Sequence, residues 1–205
     1  MPEIRPVGKA ASKLSRILVT MTKRKPSLLR GLLVGAAAGI TATLIMDQFQ
    51  KLSSSSQKAI EKQKKLADGE SPWQIAHEQA QQEQEAAHGE GSTEKVARNL
   101  AEAAGKQIPP ESKKQAGQAV HYSFGTLMGV AYGVSAEFLP EISSGGGTAF
   151  GTMLFLVADE IAVPALRLAP PPTETAPTDH LQHWAAHVVY GGSLELMRSL
   201  LRPLI

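Results

Sequence analysis

The sequence predicts an all-α membrane protein: a four-helix transmembrane bundle with a polar helical insertion between spans 1 and 2. Three observations predict it. The apolar residues of the 205-residue chain gather in four blocks, while the charges lie between them. Each block is close to the ~20 residues needed to cross hydrocarbon. Basic residues crowd the first thirty positions (Arg5, Lys9, Lys13, Arg16, Lys23, Arg24, Lys25 and Arg30 against Glu3), the bias expected of a cytoplasmic end. The slightly negative mean hydropathy of −0.12 averages these unlike segments and hides them. The chain has no cysteine, so disulfides, thiolate metal sites and cysteine nucleophiles are excluded.

Residues 1–27 form a basic N-terminal segment. Within it, Val7, Ala10, Leu14, Ile17, Leu18 and Met21 recur at helical spacing, with Lys9, Lys13 and Arg16 on other faces. This is either a helix lying on an anionic leaflet or a disordered basic tail. Residues 28–46 are the first span, LLRGLLVGAAAGITATLIM, with Arg30 placed to snorkel to the interface. The basic lead is too long for a cleaved signal peptide and no small-residue cleavage site follows, so a retained anchor is expected.

Residues 47–115 are a polar helical extramembrane loop. Ser71-Pro72-Trp73-Gln74 carries the signature of a helix start, with Ser as N-cap, Pro at the first position and Gln three residues on. That helix should run to about His88 and stop at Gly89. Another should begin at Ser92 and end near Gly105. Apolar residues are too few for an independent core, so mobile, solvated helices are expected, with His77 and His88 ordinary surface residues.

Residues 116–205 hold spans two to four. Gln118–Pro140 is almost wholly apolar, and the glycine-rich turn after it should make the next block its antiparallel neighbour. That block, Thr148–Leu168, holds Asp159 and Glu160 in its middle and Pro164 beyond. Proline is tolerated in such a helix when neighbours satisfy the freed carbonyl. The fourth block, His180–Ile205, is the least hydrophobic. Four spans return the C-terminus to the cytoplasm and place the polar loop outside a bacterial inner (plasma) membrane.

Glycines repeat every four residues at Gly31, Gly35 and Gly39, at Gly125, Gly129 and Gly133, and at Gly147 and Gly151. Residues four apart share a helix face, and glycine there lets backbones approach closely, so helix packing is the expected role. A spacing of twelve from Gly35 to Asp47 recurs from Gly125 to Glu137, Gly147 to Asp159 and His183 to Glu195. It records either an internal repeat or the chance abundance of small residues.

Ionisable residues in the apolar blocks are the functional pointer, since charge in a span is costly and faces a partner, water or the bundle interior. The proposed topology puts Asp47, His121, Asp159, Glu160, His180, His183 and His187 toward the outer side. Arg30, Glu137, Glu195 and Arg198 lie toward the inner side, with Glu195 and Arg198 on one helix face. The outer group suits proton relay, because histidine titrates near neutral pH. It also suits a divalent metal, or a structural role with histidines bonded to carboxylates that hold helices in register. Of these, sensing or moving protons or cations leads. Asp159, Glu160, His183 and His187 would carry charge, His121 would assist, and Glu137, Glu195 and Arg198 would balance the inner side. The alternative is an assembly protein whose helical loop binds a partner. No H-E-x-x-H, G-x-S-x-G or Walker loop is present, so no enzymatic activity, cofactor or resident metal is expected. Tyr122, Trp184 and Tyr190 are expected as packing or interfacial anchors. The expected partners are the lipid bilayer and either a second copy or another membrane protein. The basic head alone is too little for nucleic acid.

The run H-Y-S-F-G-x-x-x-G-x-x-Y-G at His121–Gly133, with E-F-L-P closing at Pro140, resembles the YagU-like proteins, bacterial inner-membrane proteins built around a domain of unknown function. The A-D-E-x-x-x-P around Asp159 and Pro164, and the ending near His187, Tyr190, Glu195 and Arg198, are similar in order and spacing. The resemblance covers the four spans and not the polar loop. It implies a multi-span inner-membrane protein and carries no settled activity.

Overall fold

The computed structural model describes residues 25–205, which form helices, turns and short connections with no strand. The segment at residues 7–21 and the side chain of His88 lie outside the described residues. Six helices are present among them: α1 Leu28–Ala67, α2 Pro72–His88, α3 Ser92–Ala103, α4 Lys113–Phe138, α5 Thr148–Ala165 and α6 Pro177–Leu201. By length and composition α1 and α5 can cross a membrane. The other two predicted spans, α4 and α6, do not meet that measure. Their glycine, tyrosine, serine and histidine dilute the hydropathy without making a polar stripe.

The helix that holds the predicted first span does not end at Met46: α1 is forty residues long and runs to Ala67. Nothing between Asp47 and Ala67 breaks a helix; the sequence changes polarity there, not propensity. At 1.5 Å per residue α1 is ~60 Å long, about twice a hydrocarbon core. It ends where Gly69 adopts a φ of +91° and Glu70 N–H reaches back to Lys65 O, a left-handed cap.

The bundle is ordered α4–α1–α6–α5, with α1 packed between α4 and α6, and α5 packed on α6. Antiparallel α1 and α4 meet through glycine. A Cβ on Gly35 would lie 2.5 Å from Gly129 O, and one on Gly129 2.5 Å from the Gly39 Cα. The α5–α6 contact is equally close, Gly147 facing Gly191 and Gly151 facing the His187 carbonyl. This corrects the expectation that α4 and α5 would be antiparallel neighbours. They touch near their linking turn, where the Tyr132 and Phe150 rings are 4.8 Å apart, and α5 then packs on α6. Each glycine face accepts one close partner, and those of α4 and α5 are taken by α1 and α6.

Many leucines point outward, while the buried face of α1 is mostly small residues with Val34 and Met46. Along α1, Gly31, Gly35, Ala38, Gly39, Ala42 and Thr43 are buried, while Leu29 is 65% exposed, Leu33 50% and Leu44 46%. In water each such leucine leaves about 1.5–3 kcal/mol of burial unrealised.

Within the polar insertion α3 packs on the bundle, while the α1 extension and α2 are largely exposed, as expected of solvated helices. The Ser71–Gln74 capping box forms as the sequence suggested, with bonds of 3.1 and 3.3 Å. Helix α2 runs back along the α1 extension, joined by Lys58–Glu83 (3.0 Å) and Lys65–Glu78 (2.6 Å), exposed pairs of small individual value. Helix α3 lies on α4, where glycine at Gly117 admits Glu94. It also spans to the end of α5, since Lys95 donates to Leu168 O at 2.9 Å. Lys113 bonds Glu90 at 2.6 Å and holds that carboxyl below its usual range.

Two alanine substitutions separate close packing from helix propensity. Gly129→Ala should lower stability by about 1–3 kcal/mol, because the new methyl meets the α1 backbone at Gly35 and Gly39. Gly192→Ala meets only Gly146 O at 4.0 Å and should raise stability by up to about 1 kcal/mol. Thermal unfolding followed by circular dichroism reads both.

Candidate functional site

The ionisable residues gather at two levels of the bundle. At the end that carries the α4–α5 turn the buried charges are paired. Glu137, 4% exposed, accepts from Arg30 Nη2 at 2.7 Å and Nε at 3.3 Å, from Arg202 Nε at 2.6 Å and from Ser27 N–H at 3.3 Å. One carboxylate thereby ties the starts of α1 and α4's last turn to the C-terminal turn after α6. Arg30 was expected to snorkel, but it is 9% exposed and bonded inward, with Nη2 also donating to Lys25 O at 2.6 Å. Glu195 takes two bonds from Arg198, at 2.7 and 2.8 Å, and one from the buried Tyr132 hydroxyl at 2.8 Å.

At the other level α4 and α5 line opposite parts of a cleft of about 1160 Å³. Tyr190 closes its floor, its hydroxyl donating to Gly125 O at 2.6 Å. On one wall His121 Nε2 lies 3.0 Å from Asp47 Oδ1, and Tyr122 donates to Asp47 Oδ2 at 2.8 Å. Both Asp47 oxygens are therefore occupied.

The opposite wall differs. Asp159 Oδ2 is 3.7 Å from His187 Nδ1 and 3.9 Å from His183 Nδ1, too far for hydrogen bonds. His187 Nδ1–H donates to His183 O at 2.9 Å, as a carbonyl can only accept. In the neutral ring this leaves Nε2 as the acceptor nitrogen. Among the described residues no side-chain hydrogen bond reaches the Asp159 carboxylate near Nδ1.

Local helix geometry aims these groups. Residues Phe155–Ala162 are π-helical, with Val163 N–H reaching five residues back to Ala158 O, immediately before Pro164. Such bulges recur at functional sites because they re-aim adjacent side chains. Here they separate neighbours in sequence: Asp159 faces His183 and His187, while Glu160 turns to His180 Nδ1 at 2.6 Å. His180 Nε2 also meets Pro172 O at 3.0 Å. With Glu160 ionised both partners are acceptors, so only the protonated ring satisfies both.

Of the residues proposed from sequence, Asp159, His183 and His187 come together. Glu160 belongs to a separate pair with His180, and His121 to one with Asp47. Glu137, Glu195 and Arg198 lie at the opposite level. Among the described residues no cluster of three acids, histidines or cysteines is placed to hold a metal ion. Tyr132 escaped the sequence reading as a site residue, and Arg30 and Glu137, both read at the inner side, were not read as direct partners. A signal existed: Glu137 closes one span and Arg30 opens another, so antiparallel helices put them at one depth.

Replacing Glu137 by Gln should be among the most damaging single changes in the bundle. It leaves Arg30 and Arg202 without their shared carboxylate, a loss of about 3–5 kcal/mol for a buried pair. Thermal unfolding of the purified variant checks this.

A family model described as a protein of unknown function (DUF1440) matches residues 102–196. The match spans α4, α5 and most of α6, and so His121, Asp159, His183, His187, Glu137 and Glu195, but not α1 or α2. No curated protein and no solved structure matches the chain.

Proposed function

We propose that this chain is a four-span protein of the bacterial inner membrane that binds and moves protons at Asp159, His183 and His187. The observation that carries the reading is an imidazole, His187, whose Nδ1 lies 3.7 Å from a carboxylate lacking a side-chain donor and whose Nε2 can accept a proton, on the wall of an intramembrane cleft. A proton arriving at Nε2 makes an imidazolium whose charge lies beside Asp159. Its departure restores the neutral ring. His183, more exposed than His187, passes the proton toward water at the mouth, and His121–Asp47 faces it across the cleft.

The membrane setting draws on the outward leucines of α1, the inward glycines and two helices apolar enough to cross. The resemblance to YagU-like inner-membrane proteins supports the same compartment. With the basic head cytoplasmic, Glu137, Glu195 and their arginines lie at the inner side and the cleft at the outer side. The neutralised inner end then anchors the bundle while the outer end titrates.

Protein reconstituted in liposomes with a trapped pH indicator tests this. Under an imposed potassium diffusion potential, the wild type should acidify or alkalinise the lumen, and Asp159→Asn and His187→Gln should lose most of that flux. In a Trp73→Phe background, Trp184 fluorescence should change with pH. Absence of both responses in the wild type would overturn the proton reading.

A scaffold reading has its own observation: the α1–α2 hairpin extends well beyond the cleft and presents Trp73 at 73% exposure, stacked on His77. Replacing residues 62–78 by a short glycine-rich turn leaves α3 attached to α4. A proton-handling bundle keeps its flux after that change, whereas a scaffold loses a co-purifying partner.

A further inference from the structure

We propose that the cleft between α4 and α5 takes an amphiphilic organic cation, its charge against Asp159 and its apolar body against Phe124, Met128, Leu154 and Val157. This rests on the membrane setting and proton site above.

Size gives the first argument. A cleft of about 1160 Å³ is far more than protons need, and slightly exceeds the roughly 300–1,000 Å³ of sites that enclose drug-sized molecules. Chemistry gives the second. Most of the lining around Asp159 is apolar, and that carboxylate receives no hydrogen bond from any side chain. An anion would meet Asp47 and Asp159. A neutral amphiphile would fill the walls and leave the carboxylate unanswered in a drier site. A cation with an apolar body satisfies both, and Phe124 and Tyr190 add aromatic rings to the lining.

The geometry makes this cation and the proton compete. The groups that face Asp159 are His183 and His187 on α6, and His121 on α4, itself bonded to Asp47 of α1. Glu160, on the same helix, is engaged with His180. On the α1 extension, Lys51 and Lys58 stand at the mouth, Lys58 held by Glu83 at 3.0 Å. When His187 takes a proton, Asp159 gains an internal counter-ion and the bound cation loses its partner. Uptake of a proton therefore expels the cation, and release readmits it.

Binding of tetraphenylphosphonium to the full chain in detergent, by calorimetry at pH 8.5 and 5.5, tests the idea. Saturable binding should be about tenfold tighter at pH 8.5, the scale of one desolvated charge pair. Asp159→Asn should weaken it by about tenfold or more at pH 8.5, and Asp159→Glu should largely restore it. Both variants should match the wild type in helical content and thermal midpoint. Tetraphenylborate, of the same shape and opposite charge, should not bind. No saturable binding of the phosphonium, equal binding of the borate, or wild-type affinity in folded Asp159→Asn would overturn the proposal. Phosphonium binding with neither proton flux in liposomes nor a pH response of Trp184 fluorescence sinks the proton reading and leaves the cation site standing. Flux without binding does the reverse.

Discussion

Backbone contact between α1 and α4 sets the rest of the bundle. Gly31, Gly35 and Gly39 on one helix interleave with Gly133, Gly129 and Gly125 on the other, leaving no room for a methyl group. The same contact fixes register at both ends. Arg30 and Asp47 are ~26 Å apart along α1, and Glu137 and His121 ~24 Å apart along α4, from a rise of 1.5 Å per residue. One alignment therefore satisfies the Arg30–Glu137 and Asp47–His121 pairs together. A slip of one turn would break both, and desolvated charges left without partners are among the costliest faults a bundle can carry.

The α5–α6 pair repeats the glycine contact with a different electrostatic outcome. Helix α5 offers no arginine to Glu195, so that carboxylate takes Arg198 from its own helix and Tyr132 from α4. The tie crosses between the two helix pairs and closes one end of the molecule. At the other end the π-helical stretch before Pro164 sends Glu160 to His180 and leaves Asp159 facing histidines without a direct bond. The buried acids are directly paired where the bundle is shut, while Asp159 lacks a direct partner where it opens. That asymmetry is what the proposed exchange with a mobile charge at the open end rests on.

The polar insertion belongs to this arrangement. Helix α3 rests on α4 at Gly117 and bonds the end of α5 through Lys95, so it bridges the two helices that line the cleft. Ser92, Thr93 and Val96 of α3 contribute to the cleft lining. The hairpin of α1 and α2 stands beyond, held by lysine–glutamate pairs whose individual worth is small.

Composition and period alone determined the helical class, the starts of α2 and α3, the glycine faces and the presence of opposite charges at matching depths. These are local properties: a capping serine, a four-residue spacing and an apolar run each act within a turn or two of helix. Tertiary structure decided which glycine face met which, and so that α4 packs on α1 while α5 packs on α6. It decided that α1 would run on to Ala67, a matter of the absence of a breaker and the presence of α2 alongside. It also split Asp159 from Glu160. Adjacent residues in a regular helix differ by a fixed angle, but the π-helical register and the placement of His180, His183 and His187 on another helix chose a separate partner for each.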